Sequence, residues 1–176
     1  MPSPLYELET WLSKCQRNNP TLEIIFAKAK LFRNTQTITK MNPYLVIKMT
    51  GNVASIDSSA TVRTNTIKAG GKNPIWNHRM VLPVSSFEDT IKVICYDQGI
   101  IKKAIEIGRL FLPLSELACV DTEHGLRRYI PLLYQDDQDN KAGEILVITK
   151  LSNDLIQSKK PLASILTKPS ETAAAN

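Results

Sequence analysis

The stretch Gly70-Gly71-Lys72-Asn73-Pro74-Ile75-Trp76-Asn77 constrains this chain more than any other. Two adjacent glycines open backbone angles that other residues resist. Pro74 fixes its own φ, supplies no backbone donor and drives Asn73 into an extended conformation. The chain must turn here and then run straight. The threonine- and valine-bearing stretch before it, Ala60 to Ile67, and the stretch after it, Trp76 to Leu82, therefore read as two strands meeting at a corner. Trp76 enters the second of them as a core anchor. Gly-Gly-Lys invites comparison with a phosphate-binding loop, but the Gly-x4-Gly-Lys-Ser/Thr spacing is absent.

A period of two governs the residues on either side of the corner. Leu22, Ile24 and Phe26 alternate along a first strand that Ala29 and Phe32 close. After a polar loop, Asn42-Pro43-Tyr44 opens a second extended segment through Val46 and Lys48, and Thr50 to Ser59 is a small, polar loop. Pro83 ends the strand that leaves the corner. Ile91, Val93 and Cys95 mark a fifth strand, Ile107 to Leu112 a sixth, and Leu114-Ser115-Glu116-Leu117 a helical turn. A seventh strand runs from Leu126 to Ile130 and stops at Pro131. An acidic loop follows (Asp136, Asp137, Asp139), and Gly143 opens the last strand, Glu144 to Lys150. Eight short strands bounded by turn residues predict an all-β fold, an eight-stranded antiparallel β-sandwich. No long helical pattern alternates with them, which argues against a parallel α/β sheet.

Three segments result: an N-terminal extension (1–21), the sandwich (22–151) and a tail (152–176). In the extension, Leu5, Leu8, Trp11, Leu12 and Cys15 fall at helical spacing, and Asn18-Asn19-Pro20 ends the pattern. This amphipathic helix has two uses: covering its own domain or docking on a partner through Leu5, Leu8, Trp11 and Leu12. Its polar face mixes both charge signs, which weighs against a membrane-surface helix. The tail, rich in Ser, Lys and Pro and closing on Thr-Ala-Ala-Ala-Asn, is expected to be flexible or ordered only by a partner.

Composition narrows the function. A chain of 176 residues that is 43% hydrophobic holds one domain with a proper core. The net charge is +5, modest for a dedicated nucleic-acid binder, and the exposed aromatics expected of single-strand binders are not interleaved with the basic residues. The charge is unevenly placed: residues 22–80 carry nine Lys/Arg against two acids, and residues 81–150 carry eight against eleven. One half of the domain can face an anionic surface. Three widely spaced cysteines, Cys15, Cys95 and Cys119, form no zinc or redox pair and fit a reducing compartment. No run of about 18 apolar residues occurs, no secretory core opens the chain, and the Met-Pro start lacks the glycine of myristoylation. The expected location is intracellular: cytoplasmic, or associated with cytoskeleton or membrane. The two histidines, His78 and His124, have no nucleophile or acid partner in sequence, and neither a Gly-x-Ser-x-Gly elbow nor a His-Glu-x-x-His helix is present. An enzyme is not expected, nor a cofactor, a nucleic-acid partner or a small-molecule substrate.

Six stretches in order resemble one known family, the C2 domain, over residues 22–151. Leu22-x-Ile24-x-Phe26-x-x-Ala29-x-x-Phe32 resembles its opening strand, and Asn42-Pro43-Tyr44-Leu45-Val46 stands where members carry Asp-Pro-Tyr-Val. Arg63-Thr64 through Lys72-Asn73-Pro74-Ile75-Trp76-Asn77 is similar to its threonine strand and Asn-Pro-x-Trp-Asn corner. Tyr96-Asp97 through Ile107-Gly108, Pro113-Leu114-Ser115-Glu116-Leu117 and Gly143-x-Ile145-x-Val147 complete the pattern. With no strand before Leu22 and one after Gly143, the order resembles the family's second, circularly permuted topology.

The resemblance implies two candidate surfaces. Calcium-binding members place five aspartates on loops at one end of the sandwich; carried over by spacing, those positions are Gln36, Asn42, Asp97, Gly99 and Ile105. Only Asp97 is an acid, and one carboxylate cannot offset the dehydration of calcium, which wants six to eight oxygens. Neighbouring Glu106 is expected to point elsewhere. No calcium binding at physiological levels, and no other metal, is expected. The second surface is a basic concave face that recognises anionic phospholipids, with Lys48, Arg63, Lys68, Lys72 and Arg79 as its residues here. Ile100, Ile101, Lys102 and Lys103 have the character of a loop tip that meets a membrane or a protein partner. The function implied is a non-enzymatic, calcium-independent docking module for other proteins in a larger assembly. The alternative is peripheral attachment to an anionic membrane.

Overall fold

The computed structural model describes residues 4–15, 20–50, 61–99, 103–118, 125–135 and 137–152. A helix, α1 (Pro4–Cys15), precedes eight strands: β1 (Thr21–Leu31), β2 (Pro43–Thr50), β3 (Thr61–Arg63), β4 (Ile75–Pro83), β5 (Thr90–Asp97), β6 (Ile105–Pro113), β7 (Leu126–Tyr134) and β8 (Asp137–Ser152). A single helical turn, α2 (Leu114–Leu117), follows β6. The predicted tail lies outside the described residues.

All eight strands share one hydrogen-bonded order, β3-β2-β5-β6-β7-β8-β1-β4, and every pairing is antiparallel. The ladder between β6 and β7 is reduced to one partnership, Arg109↔Leu133. There the sheet folds over into two four-stranded leaves. The main core lies between them: Leu45, Ile47, Ile91, Val93, Leu110 and Leu112 from one leaf meet Leu22, Ile24, Phe26, Leu132, Ile145 and Val147 from the other. Cys95 is buried in that core, and burial, aided by the charge of Asp97, raises its thiol pKa far above the ordinary value. It packs as a small hydrophobe, as its strand position predicts.

The corner behaves as its residues dictate. Ala69 and Gly71 adopt positive φ (53° and 57°) as the chain turns. Trp76 is partly buried against the core, and its indole N–H donates to the Pro43 carbonyl at 3.2 Å. The strand expected from Ala60 to Ile67 is shorter than its composition suggests. Only Thr61–Arg63 form β3, and Ala60 lies outside the described residues. From Thr64 the ladder gives way to single bonds: Thr64 Oγ1 accepts the Leu45 N–H (2.9 Å), and the Ile67 N–H reaches the Pro43 carbonyl (3.0 Å). The chain is already bending toward the turn.

Three further boundaries move. Phe32, expected to close the first strand, lies beyond β1 and is exposed, while its N–H bonds the Ala142 carbonyl. Pro131 does not end β7, which continues to Tyr134. The β6-facing edge of β7 is paired at one position only, so a residue without N–H is tolerated there. The last strand begins at Asp137 rather than at Gly143, because Gln135 takes a positive φ (56°) and closes a tight hairpin. Gly143 sits inside β8 opposite Leu31, where a Cβ would lie 2.7 Å from the Lys30 carbonyl oxygen.

Candidate functional site

The connections after β1 (32–42) and after β3 (64–74) meet Gln98 and Gly99, the residues that follow β5, at the same end of the sandwich. Asp97, the last residue of β5, is fully buried there. Its Oδ2 accepts from Thr35 Oγ1 (2.7 Å) and Gln36 Nε2 (2.5 Å), and its Oδ1 accepts from the Asn42 N–H (2.6 Å). Gln36 thus turns its donor, not its oxygen, toward the carboxylate. Asn42 is committed as well: its Nδ2 donates to the Gln98 carbonyl (3.1 Å), and its Oδ1 accepts the Ala69 N–H (2.8 Å). Three of the five carried-over positions therefore converge on one another. Gly99 lines a cleft of about 420 Å³ with Asn42, Thr66, Lys68, Ala69 and Gln98, and Ile105 begins β6 half-buried. Glu106 points away, bonded through both oxygens to Arg109 (2.6 and 2.7 Å). Among the described residues, no group of three His, Cys, Asp or Glu stands together.

The outer face of the leaf β3-β2-β5-β6 carries a different arrangement. Register aligns Arg63, Val46, Ile94 and Arg109 in one row across it. The row above holds Lys48, Lys92 and Phe111; the row below holds Tyr44, Tyr96 and Glu106. Lys48 and Lys92 are direct cross-strand partners, a like-charge pairing that costs stability. Tyr44 and Tyr96 stack with ring centroids 5.6 Å apart, and the Arg63 guanidinium lies over Tyr44 at 3.9 Å. Arg63 also donates to Gln98 Oε1 (2.9 Å) and Thr66 Oγ1 (3.3 Å), both neutral acceptors. The Lys92 ammonium sits 5.2 Å from the centre of the exposed Phe111 ring. The Tyr96 phenol pKa is raised, first by burial and then by Glu106 and Tyr44, with Arg109 opposing, so it stays a hydroxyl near neutral pH.

A C2 domain profile matches residues 20–132. The chain belongs to the C2 domain family. A 97-residue stretch is 32% identical to tricalbin-3 of Saccharomyces cerevisiae, covering 54% of this chain and 6% of that protein. A C2 domain of plant extended synaptotagmin 1, the one designated A, superposes with a TM-score of 0.62 at 16% identity, over 76% of this chain and 95% of that one. Human GIVD cytosolic phospholipase A2 superposes at 0.58 with 15% identity, over 75% of this chain and 16% of that enzyme.

The C2 framework sorts the residues singled out in the sequence. Lys48 and Arg63 share the outer face. Lys68 and Lys72 do not: they lie in the corner connection, Lys68 in the 420 Å³ cleft and Lys72 in a second cleft of about 300 Å³ beside Lys40. Arg79 is on β4, at the opposite end of the strand order, and its Nε donates to the buried Glu23 carboxylate. It is tied to its own leaf. Lys103 is exposed, and Ile100, Ile101 and Lys102 lie outside the described residues. In α1, Leu8 belongs to the main core with Trp11 and Leu12 packed partly against it; Leu5 faces outward. Sequence reading passed over Lys92, Arg109 and the three aromatics of the face. Their signal was the outward half of the period-two pattern in β2, β5 and β6, legible only once the strands are paired. It also passed over Ile38, 95% exposed in the first loop. No helix among the described residues is long and apolar enough to cross a membrane.

Proposed function

We propose that this C2 domain binds anionic phospholipid surfaces through the outer face of β3-β2-β5-β6, and that it does so without calcium. The observation that carries the reading is the Lys48–Lys92 pair flanked by Arg63. Among the described residues none of the three has a carboxylate partner, since the ion pairs there are Arg79–Glu23 and Arg109–Glu106. Like charges held side by side on neighbouring strands are a standing cost. An anionic surface that neutralises them returns that cost and adds about 1 kcal/mol per basic residue. The stacked tyrosines hold Arg63 in place and offer hydroxyls to headgroup oxygens.

Calcium independence rests on the loop end. Asp97 is satisfied by three protein donors, and both side-chain ends of Asn42 are bonded within the protein. Taking a calcium ion would require breaking these bonds for a site with one carboxylate. Docking on proteins through the N-terminal helix is the less supported alternative, because Leu8 is spent on the domain's own core. The action proposed is binding, not chemistry.

Vesicle sedimentation of the full chain in EGTA tests the reading. Phosphatidylcholine vesicles carrying phosphatidylserine or phosphatidylinositol bisphosphate are expected to pull the protein down, and plain phosphatidylcholine is not. Raising salt to about 0.5 M, where screening acts within a few Å, is expected to release it. Equal recovery with neutral and anionic vesicles, or none with either, contradicts the proposal.

A further inference from the structure

Two lysines that the outer face does not use stand together at the loop end. Lys40, in the connection after β1, and Lys72, in the corner connection, line the cleft of about 300 Å³. The backbone holds them there. The Gly71 N–H donates to the Met41 carbonyl (3.0 Å), so the neighbours of Lys40 and Lys72 are bonded directly to each other. The Lys72 carbonyl accepts the Leu31 N–H (2.7 Å), and the Met41 side chain is buried. Gly71 takes a positive φ (57°), and a Cβ there would lie 4.0 Å from Lys40 Cδ, so the Lys40 stem runs alongside the turn. Both lysines are exposed, and among the described residues neither has a carboxylate partner. Of the described residues that line the cleft, none is acidic and none is aromatic.

We propose that this cleft binds a phosphate monoester carried on a small polyhydroxylated ring, a phosphorylated sugar or cyclitol. A phosphate monoester carries close to two negative charges at neutral pH, which the two ammonium groups match. The rest of the wall is polar. Thr39 and Asn73 offer a hydroxyl and an amide, and Asn34 engages its oxygen with the Gln36 N–H (3.3 Å), so its amide donor is what it offers a ligand. Such groups suit ring hydroxyls. With no aromatic platform in the lining, a nucleotide base has nothing to stack on. The volume of about 300 Å³ is at the small end for ligand sites and suits one ring with its phosphates. Because the backbone fixes both lysine positions, little of the wall must be ordered on binding. A soluble metabolite and a lipid headgroup present the same chemistry to the cleft. The site does not depend on the outer face, since neither lysine belongs to it.

The test is a titration of the isotope-labelled full chain with inositol trisphosphate in EGTA, followed by amide resonances. The expected result is a saturable shift at Lys40, Gly71, Lys72 and Asn73 that unphosphorylated inositol does not produce. Lys40→Ala with Lys72→Ala is expected to weaken this binding roughly tenfold or more, and Lys40→Arg with Lys72→Arg to retain it. Both side chains are exposed, so the fold is expected to survive either change. The variant Lys48→Ala/Arg63→Ala/Lys92→Ala is expected to keep the binding, which separates failure of this site from failure of the outer face. Vesicles carrying phosphatidylinositol bisphosphate then distinguish the sources. Weaker recovery of the Lys40→Ala/Lys72→Ala chain assigns the phosphate to a lipid headgroup; unchanged recovery, with the soluble binding lost, assigns it to a free metabolite. Shifts confined to Lys48, Arg63 and Lys92, shifts that do not saturate, or an alanine pair that binds as tightly as the unaltered chain overturn the proposal.

Discussion

Replacing Lys48, Arg63 and Lys92 together by alanine is expected to weaken binding to anionic vesicles roughly a hundredfold. Each basic residue near an anionic leaflet contributes about 1 kcal/mol, and about 1.4 kcal/mol is tenfold in affinity. The three side chains share adjoining rows on one face and lack carboxylate partners among the described residues, so they act together. The fold is expected to survive. Lys48 and Arg63 are exposed, and removing the Lys48–Lys92 repulsion offsets part of the lost Arg63–Tyr44 packing. The matched control replaces three exposed basic residues of the other leaf, Lys28, Lys30 and Arg127, with the same change in net charge. If the control loses as much affinity as the face variant, attraction is a matter of total charge and the face has no special role.

Asp97→Ala is expected to destabilise the domain by about 3 kcal/mol, read as a fall of roughly 10 °C in Tm. The carboxylate is fully buried and joins Thr35, Gln36 and Asn42, which belong to a connection more than fifty residues earlier in the chain. Its removal orphans three donors at once, and a donor left unpaired out of water costs more than a made bond contributes. Asp97→Asn keeps one acceptor oxygen but turns an amide donor toward donors, so an intermediate loss is expected. Thermal unfolding of the three proteins in EGTA checks this. Tm values within about 2 °C of each other would mean that the hydrogen bonds do not hold the loop end together.

The sandwich was readable because its determinants are local. Alternation in β1, β5 and β6, the glycine–proline corner and the turn at Leu114 each announce themselves within a few residues. What was misplaced depended on partners distant in sequence. Pro131 stops a strand in isolation, but not where its neighbour pairs at a single position. Thr64 looks like any strand threonine, yet its hydroxyl takes over a ladder bond from Leu45. The site followed the same rule. Asp97 was recognised as a lone acid, but its donors, Thr35 and Gln36, lie about sixty residues away. Arg79 looked like a member of the basic face by charge alone; Glu23, across the β1–β4 ladder, claims it. Lys92 and Arg109 required the register of three strands before they could be set beside Lys48 and Arg63.

The most direct test is the affinity of the unaltered full chain for phosphatidylserine-containing vesicles, measured side by side in excess calcium and in EGTA. A loop end closed by protein donors and a face that carries its own positive charge predict the same Kd in both, within about twofold. Binding that appears only in calcium, or tightens tenfold or more with it, would mean that the ion opens and occupies the Asp97 site, and the account would be wrong at its centre.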